Sequence, residues 1–495
     1  MTENSPADLD PPEDEALSVP TRTLLFGPLG STDVSSAVVH RLRAAIGLGL
    51  LANGRRLPRE ADLAAEMGIT TFALREALAT LRRQGLLVTK AGKYGGSFVV
   101  HPPDSDELER AELLSLSSPE LRDLGDWRQM LASHAAALAA HRATHTNVLT
   151  LRTYADRVRE ARTGPEARRA HGRFHLELAS AAQSMRLTRA EFAVHEQIDW
   201  LFGLALRSKK ERVDSARTLS TVVDAIEERD PVAARAAAER YVATLVRRLA
   251  QLRLELIASG EPHQIAADGS TLEAEVGAIV SRLVTSLGAV ASDVAPVMDG
   301  RPSFQELRTR VSLTSLQRLE AFPAFVKGAG IVAEVGAVPE HPYWIQWWLK
   351  TESGPVEDNH HVMDPEREDF YDYQDMPFVA GPRQTHLPGA YGPYVDYGGV
   401  DDYILTITSP ILGTGGTFFG VSCADIRVAD LESWLAPWLA SAAESYLING
   451  QGRVIVSNAV SHGIGDVMTN RHGFHEVEFP VFGWCLLTRA TKQGR

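Results

Sequence analysis

The chain has 495 residues, with 50 Lys and Arg against 63 Asp and Glu and a formal net charge of −13. That balance excludes non-specific nucleic-acid binding by the whole surface, and two cysteines, Cys423 and Cys485, exclude a disulfide framework or a four-cysteine zinc site. No uninterrupted apolar run approaches the ~20 residues of a membrane helix, and the acidic start MTENSPADLDPPEDEA does not read as a secretory signal, so the expectation is a cytoplasmic protein of about three domains.

The charge is unevenly spread. Residues 1–32 carry six acids and one base and read as a disordered acidic tail. Residues 33–100 carry ten Lys/Arg against five acids, a basic module inside an acidic chain. Within residues 33–102 the pattern predicts a helix over 34–48, short helices over 59–67 and 70–84 around Gly68, then two strand-like pieces, LLVTKA and GSFVVH, joined by a glycine-rich turn. Helix–turn–helix chemistry needs one helix crossing the DNA backbone, a tight turn, and a second helix whose N-terminal side chains reach base edges. Arg59 begins the first of these helices. Thr70, Thr71, Phe72 and Arg75 face outward at the start of the second, while Leu74, Leu78 and Leu81 face the core. Lys90, Lys93 and Gly95 fall on a wing able to approach a phosphate or a groove. Any one of these cations alone fits a solvated helix face equally well; the constellation points to double-stranded DNA. The stretch LPREADLAAEMGITTFALREALATLRRQGLL followed by GGSFVV resembles the winged helix–turn–helix domain of the GntR family of bacterial transcription regulators. The family often carries arginine where this chain has Ala61 and Thr71, so the operator sequence is not inherited from the resemblance.

Residues 105–257 change character: Pro and Gly become sparse and Ala, Leu, Arg and Glu dominate. About six helices are predicted, broken near Ser117-Pro119, Thr144-Asn147, Gly164-Pro165, Lys209-Lys210 and Asp230-Pro231, forming an all-helical bundle. The segments DLGDWRQMLASHAAALAAHRA, AHGRFHLELASAA and TVVDAIEERDPVAARAAAERYV resemble the effector domain of the FadR-like branch of the same family. That resemblance implies a dimerising bundle whose cavity usually holds a metal through an Asp and a His four apart and two later histidines. Here His171 and His175 occupy the first two places, while Leu219 and Tyr241 fall at the later ones, and leucine cannot ligate. His171 and His175 are thus weak metal candidates, and neither a metal nor another cofactor is expected. His175 is expected in the core, His171 exposed or semi-buried, and Arg128 in an intrahelical pair or at the surface, with contact to an anionic ligand as its alternative. The bundle is expected to dimerise the chain and transmit a signal.

Residues 258–270 read as a polar linker. A long apolar helix is predicted over about 271–298, followed by strand-like runs such as YILTITSPIL, TFFGVSCADIR and EVEFPVFGWCLLTR. The fold class is therefore multidomain: a winged helix–turn–helix, an all-α bundle, then an α+β, PAS-like domain with an antiparallel sheet over 271–495. GAYGPYVDYGGVDDYILTITSPILGTGGTFFGVSCADI and LINGQGRVIVSN resemble a Cache domain, a ligand-sensing module, of which one unit fits the length. The resemblance implies an ammonium-binding role for Tyr394, Asp396 and Asp425. The arginine that the family's amino-acid binders use for a carboxylate is absent, with Asp375 or Met376 in its place.

The residue chemistry stands apart from the resemblance. Between Glu357 and Asp402 lie eleven acids and only two bases, Arg367 and Arg383, interleaved with aromatic residues. Trp347, Tyr371, Tyr373, Asp375, Phe378, Tyr394, Asp396 and Asp425 form the candidate ligand set. Carboxylates and ring faces suit a small amine or quaternary ammonium cation. An amino acid, a carboxylate held by Arg383, or no small ligand at all are the alternatives. His360-His361, His386 and His462 lie in no catalytic motif, and Gly413-Thr414-Gly415-Gly416 reads as a hairpin turn, so no enzymatic activity is expected. The sequence reads as a homodimeric, ligand-responsive transcription regulator; an architectural DNA-binding dimer and a metabolic enzyme with a regulatory head are the two rivals.

Overall fold

The computed structural model describes residues 34–92, 95–100, 106–259, 270–319, 322–338, 341–351, 354–358, 361–367, 370–396 and 402–489. The predicted tail at 1–32, most of the linker at 258–270, Lys93 and His360 lie outside the described residues. The chain divides into two units: residues 1–115 with 123–249, and residues 116–122 with 250–495.

The first unit opens with α1 (Val34–Gly47), α2 (Glu60–Met67) and α3 (Thr71–Arg83), followed by the hairpin β1 (Leu87–Lys90) and β2 (Gly96–Val99). Gly68 ends α2 in the left-handed conformation at φ 68°, which a side chain resists. Thr70 then starts α3, its hydroxyl accepting a hydrogen bond from Ala73 N at 3.2 Å. These two devices set the turn between the helices. Leu74, Ala77, Leu78 and Leu81 bury one face of α3 against Val38, Leu42 and Leu63 in one core. Residues 54–57 add a third edge to the hairpin, with Leu57 N donating to Ser97 O and Val99 N to Arg55 O, both at 2.9 Å.

The bundle of the first unit is built from α4 (Asp106–Ser115), α5 (Ser118–Arg142), α6 (His145–Glu160), α7 (Gly164–Ala181), α8 (Met185–Gln197), α9 (Lys209–Glu227) and α10 (Pro231–Ser259), of which residues 118–122 and 250–259 count with the second unit. Thr144, Thr163, Ser184 and Ser208 cap four of these helices with side-chain oxygens. The break before α8 is not predicted: Ala182-Gln183-Ser184 contains neither Gly nor Pro, and Gln183 makes the turn itself at φ 53°. The head packs on the bundle through α8. Phe192 joins the head's own core, Arg41 pairs with Glu196 at 3.4 Å, and Arg173 on α7 donates to the carbonyls of Leu48 and Gly49.

The second unit carries α11 (Leu272–Asp299), α12 (Phe304–Leu319), β3 (Val326–Ala333), β4 (Ile345–Thr351), β5 (Gly354–Asp358), α13 (Pro377–Thr385), β6 (Gly389–Val395), β7 (Tyr403–Leu412), β8 (Phe418–Arg427), α14 (Val428–Ser441), β9 (Ser445–Ile448), β10 (Val454–Ser457), β11 (Phe474–Phe479) and β12 (Trp484–Arg489). The expectation of one sheet is corrected: the strands form a six-stranded antiparallel sheet in the order β5-β4-β3-β8-β7-β6 and a separate four-stranded one, β10-β9-β12-β11. By length and composition α11 is long and apolar enough to cross a membrane, contrary to the reading of the sequence. Its Leu283, Leu287, Val290 and Val294 face the core instead, and its Leu287 carbonyl accepts from the Ser422 hydroxyl of β8 at 2.8 Å.

Alternation along the central strands sorts their side chains. Ala329, Ile331, Leu405, Ile407, Ala424 and Ile426 join the cluster under α11. Val332, Trp347, Val421 and Cys423 point to the opposite face. Both faces are covered, so β7 and β8 read as nearly continuous apolar runs.

Candidate DNA-reading head and effector pocket

Thr70, Thr71 and Arg75 are exposed at the start of α3, Arg59 immediately precedes α2, and Lys90 ends β1 on the wing. Arg75 Nε donates to Glu60 Oε2 at 2.7 Å, which fixes the guanidinium while its two amino groups have no protein partner among the described residues. That is the presentation a bidentate contact to guanine needs. Lys90 Nζ sits 4.9 Å from the centroid of the Phe98 ring, across the hairpin. Gly95 has a local reason to be glycine: a Cβ there would fall 2.3 Å from the Lys90 carbonyl oxygen. The wing's backbone requires it, whatever binds nearby.

The second unit contains a pocket of about 460 Å³, a volume that includes its open mouth, on the face of the six-stranded sheet opposite α11. Trp347, Tyr371, Phe378, Tyr394, Asp396 and Asp425 of the candidate ligand set line it. The other two do not. Tyr373 is fully buried beneath, its hydroxyl accepting from Trp344 N at 3.0 Å, and Asp375 is exposed outside. Asp375 comes just before α13, whose buried Phe378 faces inward, so the neighbouring carboxylate turns to solvent. Val332, Ile345, His361, Thr406 and Cys423 complete the lining and escape sequence reasoning. Strand alternation through Asp425 could have found Cys423.

The floor is made by register. Thr406 on β7 lies directly across from Asp425 on β8, and Gly328 on β3 lies across from Asp425 on its other side. Gly328 and Gly330 leave room for the Trp347 ring; a Cβ at Gly328 would come 2.6 Å from the indole nitrogen. Thr406 Oγ1 donates to Asp425 Oδ1 at 2.8 Å and shares a hydrogen bond of 2.7 Å with the Tyr394 hydroxyl. Burial is the main cause that pushes the Asp425 carboxyl up to about 7, with the charge of Asp396 adding to it and the Thr406 hydrogen bond opposing. Burial raises Tyr371 and Tyr394 in the same direction, helped by Asp396 and Asp425, and both phenols stay neutral. The Cys423 thiol is likewise pushed up by burial and by Asp425, so it is no nucleophile. Two carboxylates therefore share one pocket, and no Lys or Arg stands among the lining residues. Arg383, the alternative anchor for a carboxylate, is engaged by Glu334 at 2.9 Å and by the Gln374 carbonyl and does not line the pocket.

The bundle holds a third polar cluster. Arg128 is buried and paired with buried Glu191, which also lies 3.1 Å from His195 Nε2. Both expectations of exposure are corrected: Arg128 is 1% exposed and His171 0%. Burial raises the Glu191 carboxyl, but Arg128 and His195 outweigh it and hold the group at about 2. His171 and His175 have ring centroids 4.6 Å apart and pack against Tyr241. Burial holds His175 well below the ordinary histidine range, with positive Arg128 adding to the effect. The two histidines, a tyrosine and a buried leucine at 219 do not fit the family's four-ligand metal site. Among the described residues no group of three or more His, Cys, Asp and Glu could hold a metal ion.

A winged head with an exposed helix start, fused to a capped helical bundle, defines a DNA-binding transcription regulator. Residues 34–99 match the bacterial regulatory proteins of the gntR family, and residues 123–244 match the FCD domain. The HTH-type transcriptional regulator RmpR of Mycobacterium gastri is 38% identical over 183 residues, 37% of this chain and 67% of the relative. The Glc operon transcriptional activator of Escherichia coli is 27% identical over 248 residues, covering 46% of this chain and 95% of the activator. Among solved structures, Methyl-accepting Chemotaxis protein X is 16% identical over 46% of this chain and 98% of its own, with a TM-score of 0.31. The chain belongs to the gntR family of bacterial regulatory proteins, as a DNA-binding regulator with a FadR-like bundle.

Proposed function

We propose that this protein is a cytoplasmic, homodimeric transcription regulator whose affinity for its operator is set by a small organic cation, an amine or quaternary ammonium compound, bound in the second unit. The observation that carries the proposal is the pairing of Asp396 and Asp425 in an aromatic pocket without a cationic lining residue. Asp425 is buried and the half-buried Asp396 adds a like charge beside it, and a cation relieves both that repulsion and the desolvation of Asp425. Trp347, Tyr371 and Phe378 supply ring faces, each worth about 0.5–2 kcal/mol to a desolvated cation. The engagement of Arg383 by Glu334 counts against the carboxylate alternative. Two winged heads presented by a dimer would read a pseudo-palindromic site through Arg59, Thr70, Thr71, Arg75, Lys90, Lys93 and Gly95. A ligand shifts such a dimer only by binding one of its states more tightly than the other.

The test is a thermal-shift panel on the full chain, with alkylamines, quaternary ammonium compounds, amino acids and short carboxylates. An effector present at 100 times its Kd raises stability by about 2.7 kcal/mol. Cations are expected to raise the melting temperature, and Asp396→Ala to abolish the rise. Stabilisation by carboxylates alone, or a rise that persists in Asp396→Ala, refutes the pocket assignment.

A further inference from the structure

Phe72 is 78% exposed, the most exposed large apolar side chain among the described residues. It is the second residue of α3, directly after Thr70 and Thr71. Its ring plays no part in the head's core, which Leu74, Leu78 and Leu81 fill from the other face of the helix. Three residues on, hence on the same helix face, stands exposed Arg75, held through Nε by Glu60. An aromatic ring set in water beside a cation, at the start of a helix whose first amide groups lack intrahelical partners, needs an occupant that is apolar at one point and anionic around it. In the major groove of duplex DNA one group meets that need: the C5-methyl group of thymine, rimmed by phosphates.

We infer that Phe72 is a specificity-determining residue that reads a thymine methyl in the major groove. The inference rests on α3 being the helix that enters the groove. Thr71 and Arg75 flank the ring, so the thymine lies within a base pair or two of the base that Arg75 contacts. Phe72 adds a preference for one base without adding charge, and it leaves the salt dependence of binding to the cations.

The experiment starts with selection from random duplexes by the full-length protein at moderate salt. The selected site is then remade with each thymine in turn replaced by deoxyuridine, which removes one methyl group and nothing else. The expected result is one thymine per half-site whose replacement weakens wild-type binding about four-fold, the worth of one buried methyl. Phe72→Ala should bind the thymine duplex about four-fold more weakly and be indifferent to that replacement. Indifference of the wild type at every thymine overturns the inference while leaving the head as the DNA-reading element. So does an unchanged thymine effect in Phe72→Ala, or a change in that variant's sedimentation mass in place of its base preference, which would mark the ring as a contact between protein chains. Failure of the wild type to select any sequence overturns the reading of the head, and this inference with it.

Discussion

Arg75 and Asp425 are the two side chains whose surroundings say most about their work. Arg75 is steadied by Glu60 and otherwise open, so its loss removes a pre-aimed fork. Arg75→Ala should cost about 1–3 kcal/mol at the selected operator, with a smaller loss on random duplex, measured by anisotropy titration. Lys, with a point charge in place of a planar fork, should restore little of the sequence preference. Asp425 is a buried acid raised from 3.8 to about 7, so below pH 7 the free protein holds a proton there. A cation binds the ionised form and must displace that proton. Affinity for a tetraalkylammonium probe should therefore climb as pH rises from 6 toward 7 and flatten above, and calorimetry should detect proton release below 7. Asp425→Asn should flatten that dependence and weaken binding. The same raised value means that stability is lost progressively as pH rises from 3.8 to about 7, and the full cost is present above 7. Asp425→Asn should accordingly raise unliganded stability at pH 8, by up to roughly 4 kcal/mol for a shift of this size.

At the scale of elements, α8 carries the buried carboxylate that neutralises Arg128 of α5. Glu191→Gln leaves the Arg128 guanidinium buried without its counter-ion, and breaking a buried pair costs about 3–5 kcal/mol. Chemical denaturation of the full chain should register that loss in its first transition. His175 titrates in the opposite sense to a stabilising pair. Its folded-state value lies below the unfolded 6.5, so the unfolded chain takes up the proton first and stability falls as pH drops under 6.5. The slope is about 1.4 kcal/mol per pH unit, and His175→Phe should remove its share of it. The head is legible in the sequence because glycine and threonine punctuation at Gly68 and Thr70 survives without tertiary context. Most bundle breaks are legible through Pro, Gly and capping residues. The break at Gln183 is not, because an ordinary residue takes positive φ there under packing that no local pattern encodes. Six pocket residues are legible from their chemistry, since carboxylates and rings crowd one stretch. Tyr373 and Asp375 mislead the same reasoning, because composition says nothing about which face of a strand or turn a side chain takes. Arg128 and His171 escape notice as buried residues because their partners, Glu191 and Tyr241, lie 63 and 70 positions away.

Over the whole molecule, charge is divided by role: bases outnumber acids ten to five in residues 33–100 of the head, and two acids, Asp396 and Asp425, line the pocket. The net charge of −13 therefore works against the head at long range, and salt screens that repulsion as well as the attraction. Lys90→Ala should reduce the slope of log K against log salt by about one unit if Lys90 meets a phosphate, at any duplex sequence. Sedimentation of the protein on a selected site should give two chains per duplex, with half-sites one or more helical turns apart.

Phe192 is shared property. It belongs to a bundle helix, yet it fills space among side chains of the head, while Arg173 answers the carbonyls of Leu48 and Gly49. A fragment ending at residue 102 would keep every residue of the wing and still have a hole where an aromatic ring belongs. Emptying a site of that kind costs on the order of 3–5 kcal/mol, a large part of what a domain this small can muster. The reading head should thus melt well below the parent when severed, and its shape in the intact chain is partly upheld by the helix beneath it.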